Sequence, residues 1–210
     1  MRTRIKICGV TNPNDAAMAA AAGADYVGVV LTDSPRRITP DRAREIARAL
    51  PEETRLVGVF ADEPPDMVRG TAADLPLHAV QVRGWVGLEA AVPCEVWHVL
   101  RDEKPPEPST LPMVPLHTFL LDAHDRARAG GTGRRADWDW ARRGVNAGLR
   151  LIVAGGLSAE NVAELVLDVH PFGVDASSGL ESEPGRKDPA KVRAFIERVR
   201  EADRMRPKRS

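Results

Sequence analysis

Short apolar runs recur along the chain and alternate with stretches whose apolar residues fall at helical spacing, the pattern of βα units rather than of a sandwich or a bundle. The runs predict eight strands: Ile5 to Gly9, Tyr26 to Leu31, Arg55 to Phe60, His78 to Val82, Glu95 to Leu100, Thr118 to Asp122, Leu151 to Ala154 and Gly173 to Ala176. Helices are predicted at Asn14 to Ala22, from its alanines, and at Pro40 to Leu50, with Thr39 as cap and Pro40 in the first turn. Two more are predicted at Ala159 to Val169, capped by Ser158, and at Pro189 to Ala202, where Val192, Phe195, Ile196 and Val199 make one apolar face. Between Asp102 and Pro115 the prolines are too dense for a helix, so an irregular segment is expected after strand five. Strands alternating with helices imply a parallel sheet with right-handed crossovers, and eight of them close into a single-domain (β/α)8 barrel, the TIM-barrel class of α/β fold.

Composition narrows the reading without choosing an activity. The 210 residues are 43% hydrophobic, enough for one core, near the lower size limit of such a barrel. The barrel is assigned to 1–203 and a basic, frayed tail to 204–210. Thirty basic and thirty acidic residues cancel, so no nucleic-acid partner and no anionic membrane are expected. With no charged-then-apolar leader or long apolar run read in the sequence, a cytoplasmic protein is expected, with its two cysteines, Cys8 and Cys94, reduced. Whether it is a monomer or a homodimer stays open.

Function in a (β/α)8 barrel sits at the carboxyl ends of the strands. That rule selects Cys8, Arg36, Gln81, Arg83, Asp122 and Asp175. It also selects two glycine- and serine-rich segments, Val153-Ala154-Gly155-Gly156-Leu157 and Gly173 to Gly179, each read as leading into a helix-like stretch. Glycines let a backbone approach an anion and free N–H groups bind it, so Gly155, Gly156, Ser177, Ser178 and Gly179 are candidate phosphate ligands. Plainer readings exist beside these. A cysteine in an apolar strand ordinarily packs as a small hydrophobe, an aspartate after a strand often caps a helix, and a glycine cluster often marks only a turn. His98, His117, His124 and His170 lack the spacing of a metal site, and none is expected.

The motifs, in order and spacing, resemble the phosphoribosylanthranilate isomerases of tryptophan biosynthesis almost end to end. They are Lys6-Ile7-Cys8-Gly9, Ser34-Pro35-Arg36, Leu120-Leu121-Asp122 with Gly130-Gly131-Thr132-Gly133 and Asp137-Trp138, Ala154-Gly155-Gly156-Leu157 with Glu160-Asn161-Val162, Gly173 to Gly179, and Pro184 to Asp188. The resemblance implies an Amadori rearrangement of a small phosphosugar substrate without a cofactor. It makes Asp122 the general acid and Cys8 the general base, gives Arg36 the anthranilate carboxylate, and makes Gly131, Thr132 and Gly133 part of a lid over the ligand. Gln81, Arg83 and Asp175 would also face substrate.

Two positions depart from the family pattern. Gln81-Val82-Arg83-Gly84 stands where the family usually has Gln-Leu-His-Gly, and Ala136 where phenylalanine is common. The first bears on substrate scope. A related isomerase of histidine biosynthesis, or a dual-substrate relative, would handle two phosphates and carry an aspartate in place of Cys8. The glycine-free, acidic Ala61-Asp62-Glu63-Pro64-Pro65-Asp66 loop disfavours a second phosphate. A non-catalytic phosphosugar-binding barrel is the remaining alternative.

Overall fold

A computed structural model describes residues 2–83, 92–100, 106–111, 117–122 and 133–206, with only the backbone for 133–137. Eight parallel strands close into a barrel in chain order: β1 (Arg4–Cys8), β2 (Tyr26–Val30), β3 (Arg55–Val59), β4 (Ala79–Arg83), β5 (Glu95–Leu100), β6 (Thr118–Asp122), β7 (Arg150–Ala154) and β8 (Gly173–Ala176), which pairs back onto β1. β5, β6 and β8 have the predicted bounds. β1 is displaced by one toward the amino end, β2 and β3 each end one residue sooner, β4 is displaced by one toward the carboxyl end, and β7 starts one residue earlier.

Alternation along each strand sorts the side chains. Tyr26, Val57, Ala79, Trp97, Leu120, Ile152 and Ala154 fill the barrel interior, with Trp97 edge-on to Tyr26 at 4.9 Å between ring centres. The intervening residues, among them Ile5, Ile7, Val27, Val29, Leu151 and Val153, face outward and bury against the helices. Strand register carries this parity around the sheet: Lys6 pairs with Tyr26 and with Asp175, Gln81 with Trp97, and Asp122 with Ala154. Lys6, Cys8, Gln81, Arg83, Asp122 and Asp175 therefore point inward, above the apolar plug and toward the mouth.

Six helices are described: α1 (Pro13–Ala22), α2 (Pro40–Ala49), α3 (Pro65–Asp74), α4 (Gly133–Asn146), α5 (Val162–Val169) and α6 (Pro189–Met205). Asn12, Thr39 and Asp188 cap α1, α2 and α6 through side-chain oxygens that accept backbone N–H groups. The helices differ from the sequence expectation at several points, among them α4, which was not predicted. α3 was not predicted, because Pro64-Pro65 reads as loop, yet Pro65 serves at its first turn. Ser158 does not cap α5: Ser158 to Asn161 form their own turn, Asn161 Oδ1 accepts the Ser158 N–H at 3.0 Å, and Asn161 is the cap residue. α6 runs past Ala202 to Met205, and Arg206 donates to the Val166 carbonyl at 2.7 Å, tying that end to α5. Of the segment expected to be irregular, 106–111 holds a single 3-10 turn, Pro108–Thr110, and the remainder lies outside the described residues.

The amino-terminal face is closed by ion pairs centred on Asp25. It accepts from Arg2, from Arg4 at 2.7 Å, from Arg200 at 3.1 Å and from the Ile5 N–H at 2.9 Å. Burial alone would raise the Asp25 carboxyl, but these donors outweigh it and hold it below the usual carboxylate range.

Candidate active site

The site begins with Cys8, the last residue of β1. It is buried, and its neighbours fix its state. Burial pushes the thiol above its ordinary value and Asp175 adds to the rise, against Lys6 and more distantly Lys187, which pull it down. Both cations lower the thiol, but desolvation outweighs them. Lys6 itself has no exposed side-chain surface and forms an ion pair with Asp175 Oδ2 at 3.0 Å. Burial alone would lower the Lys6 ammonium, yet Asp175 and Cys8 hold it above its ordinary value.

Arg36, in the loop after β2, is held from a part of the chain that the strand-end rule did not select. After β8 comes one 3-10 turn, Ser178–Leu180, and then a hairpin of β9 (Glu181–Glu183) and β10 (Arg186–Lys187) before α6. Arg36 Nε donates to Glu181 Oε1 at 2.7 Å and Nη2 to Oε2 at 2.6 Å. Lys187, also wholly inaccessible, donates to the same Oε1 at 2.7 Å and to the Ser177 carbonyl at 3.2 Å. Glu181 is held below the usual carboxylate range, because these two cations outweigh the cost of burying it. Gly9 makes the arrangement possible: its φ is +71°, and a Cβ there would fall 2.5 Å from Arg36 Cδ and 2.8 Å from Ser177 Oγ.

Across the barrel, Asp122 ends β6 and is half-buried. It lies near enough to Asp175 to act on it electrostatically, which places acid and base candidates around one mouth. Gln81 is buried and Arg83 exposed on the same face of β4; Arg83 makes a long 3.4 Å contact with Asp62. Gln81 Oε1 and Asp175 Oδ1 are buried and accept no hydrogen bond from the described residues. A buried acceptor left so costs roughly 1–3 kcal/mol. A ligand with hydroxyl donors would recover it.

The glycine loops after β7 and β8 adjoin. A Cβ on Gly179 would fall 2.4 Å from the Leu157 carbonyl oxygen, so only glycine lets the two backbones approach this closely. Gly155 and Gly156 have φ of 90° and 61°, and a Cβ at Gly156 would meet nothing within 4 Å, leaving open space over that backbone. The helix-like stretch expected after β8 is only the three-residue turn at Ser178, and α5 starts beyond a separate turn. The backbone at this junction is loop and 3-10 turn rather than the start of a long helix. Gly133 opens α4, whereas Gly131 and Thr132 lie outside the described residues.

Lys6, Glu181 and Lys187 were not among the candidates, and they hold the site together. A lysine inside Ile5-Lys6-Ile7-Cys8 was the available signal, since a buried charge in an apolar strand requires a partner. A closed parallel barrel with a thiol, two carboxylates and an arginine at the carboxyl ends of its strands defines a (β/α)8 enzyme equipped for acid–base chemistry on a small ligand.

Comparison with known proteins narrows the class. Residues 5–198 match the family PRAI, N-(5'-phosphoribosyl)anthranilate (PRA) isomerase. The N-(5'-phosphoribosyl)anthranilate isomerase of Pelobacter propionicus is 43% identical over 203 residues, covering 94% of this chain and 96% of its own. TrpF from Jonesia denitrificans superposes with a TM-score of 0.83 at 31% identity, covering 97% of this chain and all of that one. A phosphoribosyl anthranilate isomerase solved with reduced 1-(o-carboxyphenylamino)-1-deoxyribulose 5-phosphate gives 0.79 at 30% identity, over 95% and 99% of the two chains. The chain belongs to the N-(5'-phosphoribosyl)anthranilate isomerase family of tryptophan biosynthesis enzymes.

Proposed function

We propose that this chain converts N-(5'-phosphoribosyl)anthranilate to 1-(2-carboxyphenylamino)-1-deoxyribulose 5-phosphate, with Asp122 as general acid and Cys8 as general base. Asp122 delivers a proton to the ribose ring oxygen as the bond from that oxygen to C1 breaks, and the anthranilate nitrogen supplies the electron pair that forms the Schiff base. Cys8, as thiolate, then takes the proton from C2, and the electrons left behind neutralise the iminium to give an enolamine. Return of a proton to C1, with loss of the C2 hydroxyl proton, yields the ketone. Positioned acid–base groups of this kind contribute about 10²–10⁴-fold each. The observation that carries the reading is the placement of Cys8 and Asp122 at carboxyl ends of β1 and β6, around the pair Lys6–Asp175.

Binding is assigned by charge and donor complementarity. Loop N–H groups at Gly155, Gly156, Ser177, Ser178 and Gly179 meet the phosphate, where the two loops adjoin and Gly156 leaves open space. The unsatisfied Gln81 Oε1 and Asp175 Oδ1 accept from sugar hydroxyls. Arg36 meets the anthranilate carboxylate through the part of its guanidinium that Glu181 leaves available, and Arg83 at the mouth assists it. Gly131, Thr132 and Gly133 belong to the lid that closes over the ligand. Turnover of purified protein on phosphoribosylanthranilate tests the reading. The isomerase consumes it, whereas a binding-only barrel leaves the substrate intact, and preference for the two-phosphate substrate of histidine biosynthesis would move the chain to the related activity.

A further inference from the structure

The proton transfers just described leave unused the most deeply buried cation beside the thiol. Lys6 stands in an apolar strand with no exposed side-chain surface, a placement that costs several kcal/mol unless the charge is well paired. Asp175 Oδ2 satisfies one side at 3.0 Å. The other side is explained by Gly28, which pairs with Cys8 on the neighbouring strand. Its backbone does not adopt a positive φ, so conformation alone does not call for glycine there. Space does: a Cβ at position 28 would fall 2.9 Å from Lys6 Cε, 3.0 Å from Lys6 Nζ and 3.0 Å from Cys8 Sγ. The ammonium and the sulfur thus share one small space that any side chain on residue 28 would invade.

We propose that Lys6 is a positioning residue for the isomerisation, anchored by Asp175 and donating a hydrogen bond to Cys8 Sγ, so that it stabilises the thiolate and aims it at the sugar. The inference rests on Cys8 being the base. Lys6 keeps its proton throughout; the proton taken from C2 goes to sulfur. Among the described residues, the charged groups that act on Cys8 are Lys6 on β1, Asp175 on β8, Lys187 on β10 and Arg36 after β2. Lys187 and Arg36 are committed to Glu181, and Lys6 acts on the thiol more strongly than Lys187 does.

The test follows the ionisation of Cys8 by ultraviolet thiolate absorbance against pH, in a Cys94→Ser background that leaves one thiol. An opposite charge at this range shifts a titration by about 1–3 pH units, so Lys6→Met should raise the Cys8 midpoint by that amount and move the rising limb of kcat/KM with it. Gly28→Ala keeps both charges while pushing the ammonium away, and should move the midpoint in the same direction by less. An unchanged midpoint in folded Gly28→Ala overturns the proposal even if Lys6→Met does not fold. If Lys6→Met folds and loses activity with its midpoint unchanged, Lys6 only neutralises Asp175. Should Cys8→Ser prove active, the base assignment fails, while the titration still reports whether Lys6 contacts the thiol.

Discussion

Replacing Glu181 with alanine should cost this protein far more than losing a surface ion pair. Both carboxylate oxygens are in use, Oε1 by Arg36 Nε and Lys187 Nζ and Oε2 by Arg36 Nη2, at 2.6 to 2.7 Å. The Glu181 side chain is 4% exposed and that of Lys187 not at all, so water cannot replace what is lost. Exposed pairs contribute about 0–1 kcal/mol, whereas breaking a buried pair from one side costs about 3–5 kcal/mol. For a chain of this size each kcal/mol lowers Tm by roughly 2–4 °C, which puts Glu181→Ala about 6–20 °C below the parent. The penalty should depend on pH. Burial already holds the Lys187 ammonium below its ordinary value in the parent although Glu181 raises it, and removing Glu181 depresses it further; between the two folded-state values only the variant has lost that proton on folding, so the variant gains stability relative to the parent as pH rises toward the ordinary lysine range. Glu181→Gln keeps the shape and one acceptor and should lose less. Arg36 loses its ion pair in both, so KM for the carboxylated substrate should change with them. Thermal unfolding from neutral to alkaline pH and steady-state kinetics check this. A Glu181→Ala protein within 2 °C of the parent, with unchanged KM, would refute the view that Glu181 organises Arg36 and Lys187.

Gly156→Val tests the phosphate grip twice over, because φ of 61° strains any β-branched residue and the added side chain fills the open space above the loop. Calorimetry should show weaker binding of a phosphosugar analogue, and undiminished binding would place the phosphate elsewhere. Arg83→His restores the side chain usual in the family. It should keep turnover but lower affinity by less than Arg36→Ala does, and the change should vanish with an aniline analogue lacking the carboxylate; equal losses for both compounds would show that Arg83 shapes the mouth instead.

Alternating apolar runs made the eight strands legible, since burial on both faces of a parallel barrel imposes the pattern at every strand, and edges moved by a single residue at most. α6 was legible for the same reason, its apolar face being Val192, Phe195, Ile196 and Val199. α3 was hidden by prolines that mark a turn in isolation but suit a first helical turn in place. The strand-end rule found Cys8, Arg36, Asp122 and Asp175, because the fold brings those ends together whatever lies between them. It did not reach Glu181 and Lys187, which sit on a hairpin inserted between β8 and α6; Glu181 meets Arg36 from 145 residues away in the chain, and Lys187 meets Glu181. Lys6 was visible as a motif residue but not as a partner, since the contact depends on space that Gly28 leaves empty on the next strand.

The central claim is that Asp122 and Cys8 divide the two proton transfers, and single-turnover rates on phosphoribosylanthranilate for Cys8→Ser and Asp122→Asn test it most directly. Each variant changes one proton-transfer group with little change in size, so each should fold, bind a phosphosugar analogue like the parent, and isomerise about 10²–10⁴-fold more slowly. Near-parental rates in either variant, with binding intact, would contradict the role assigned to that residue.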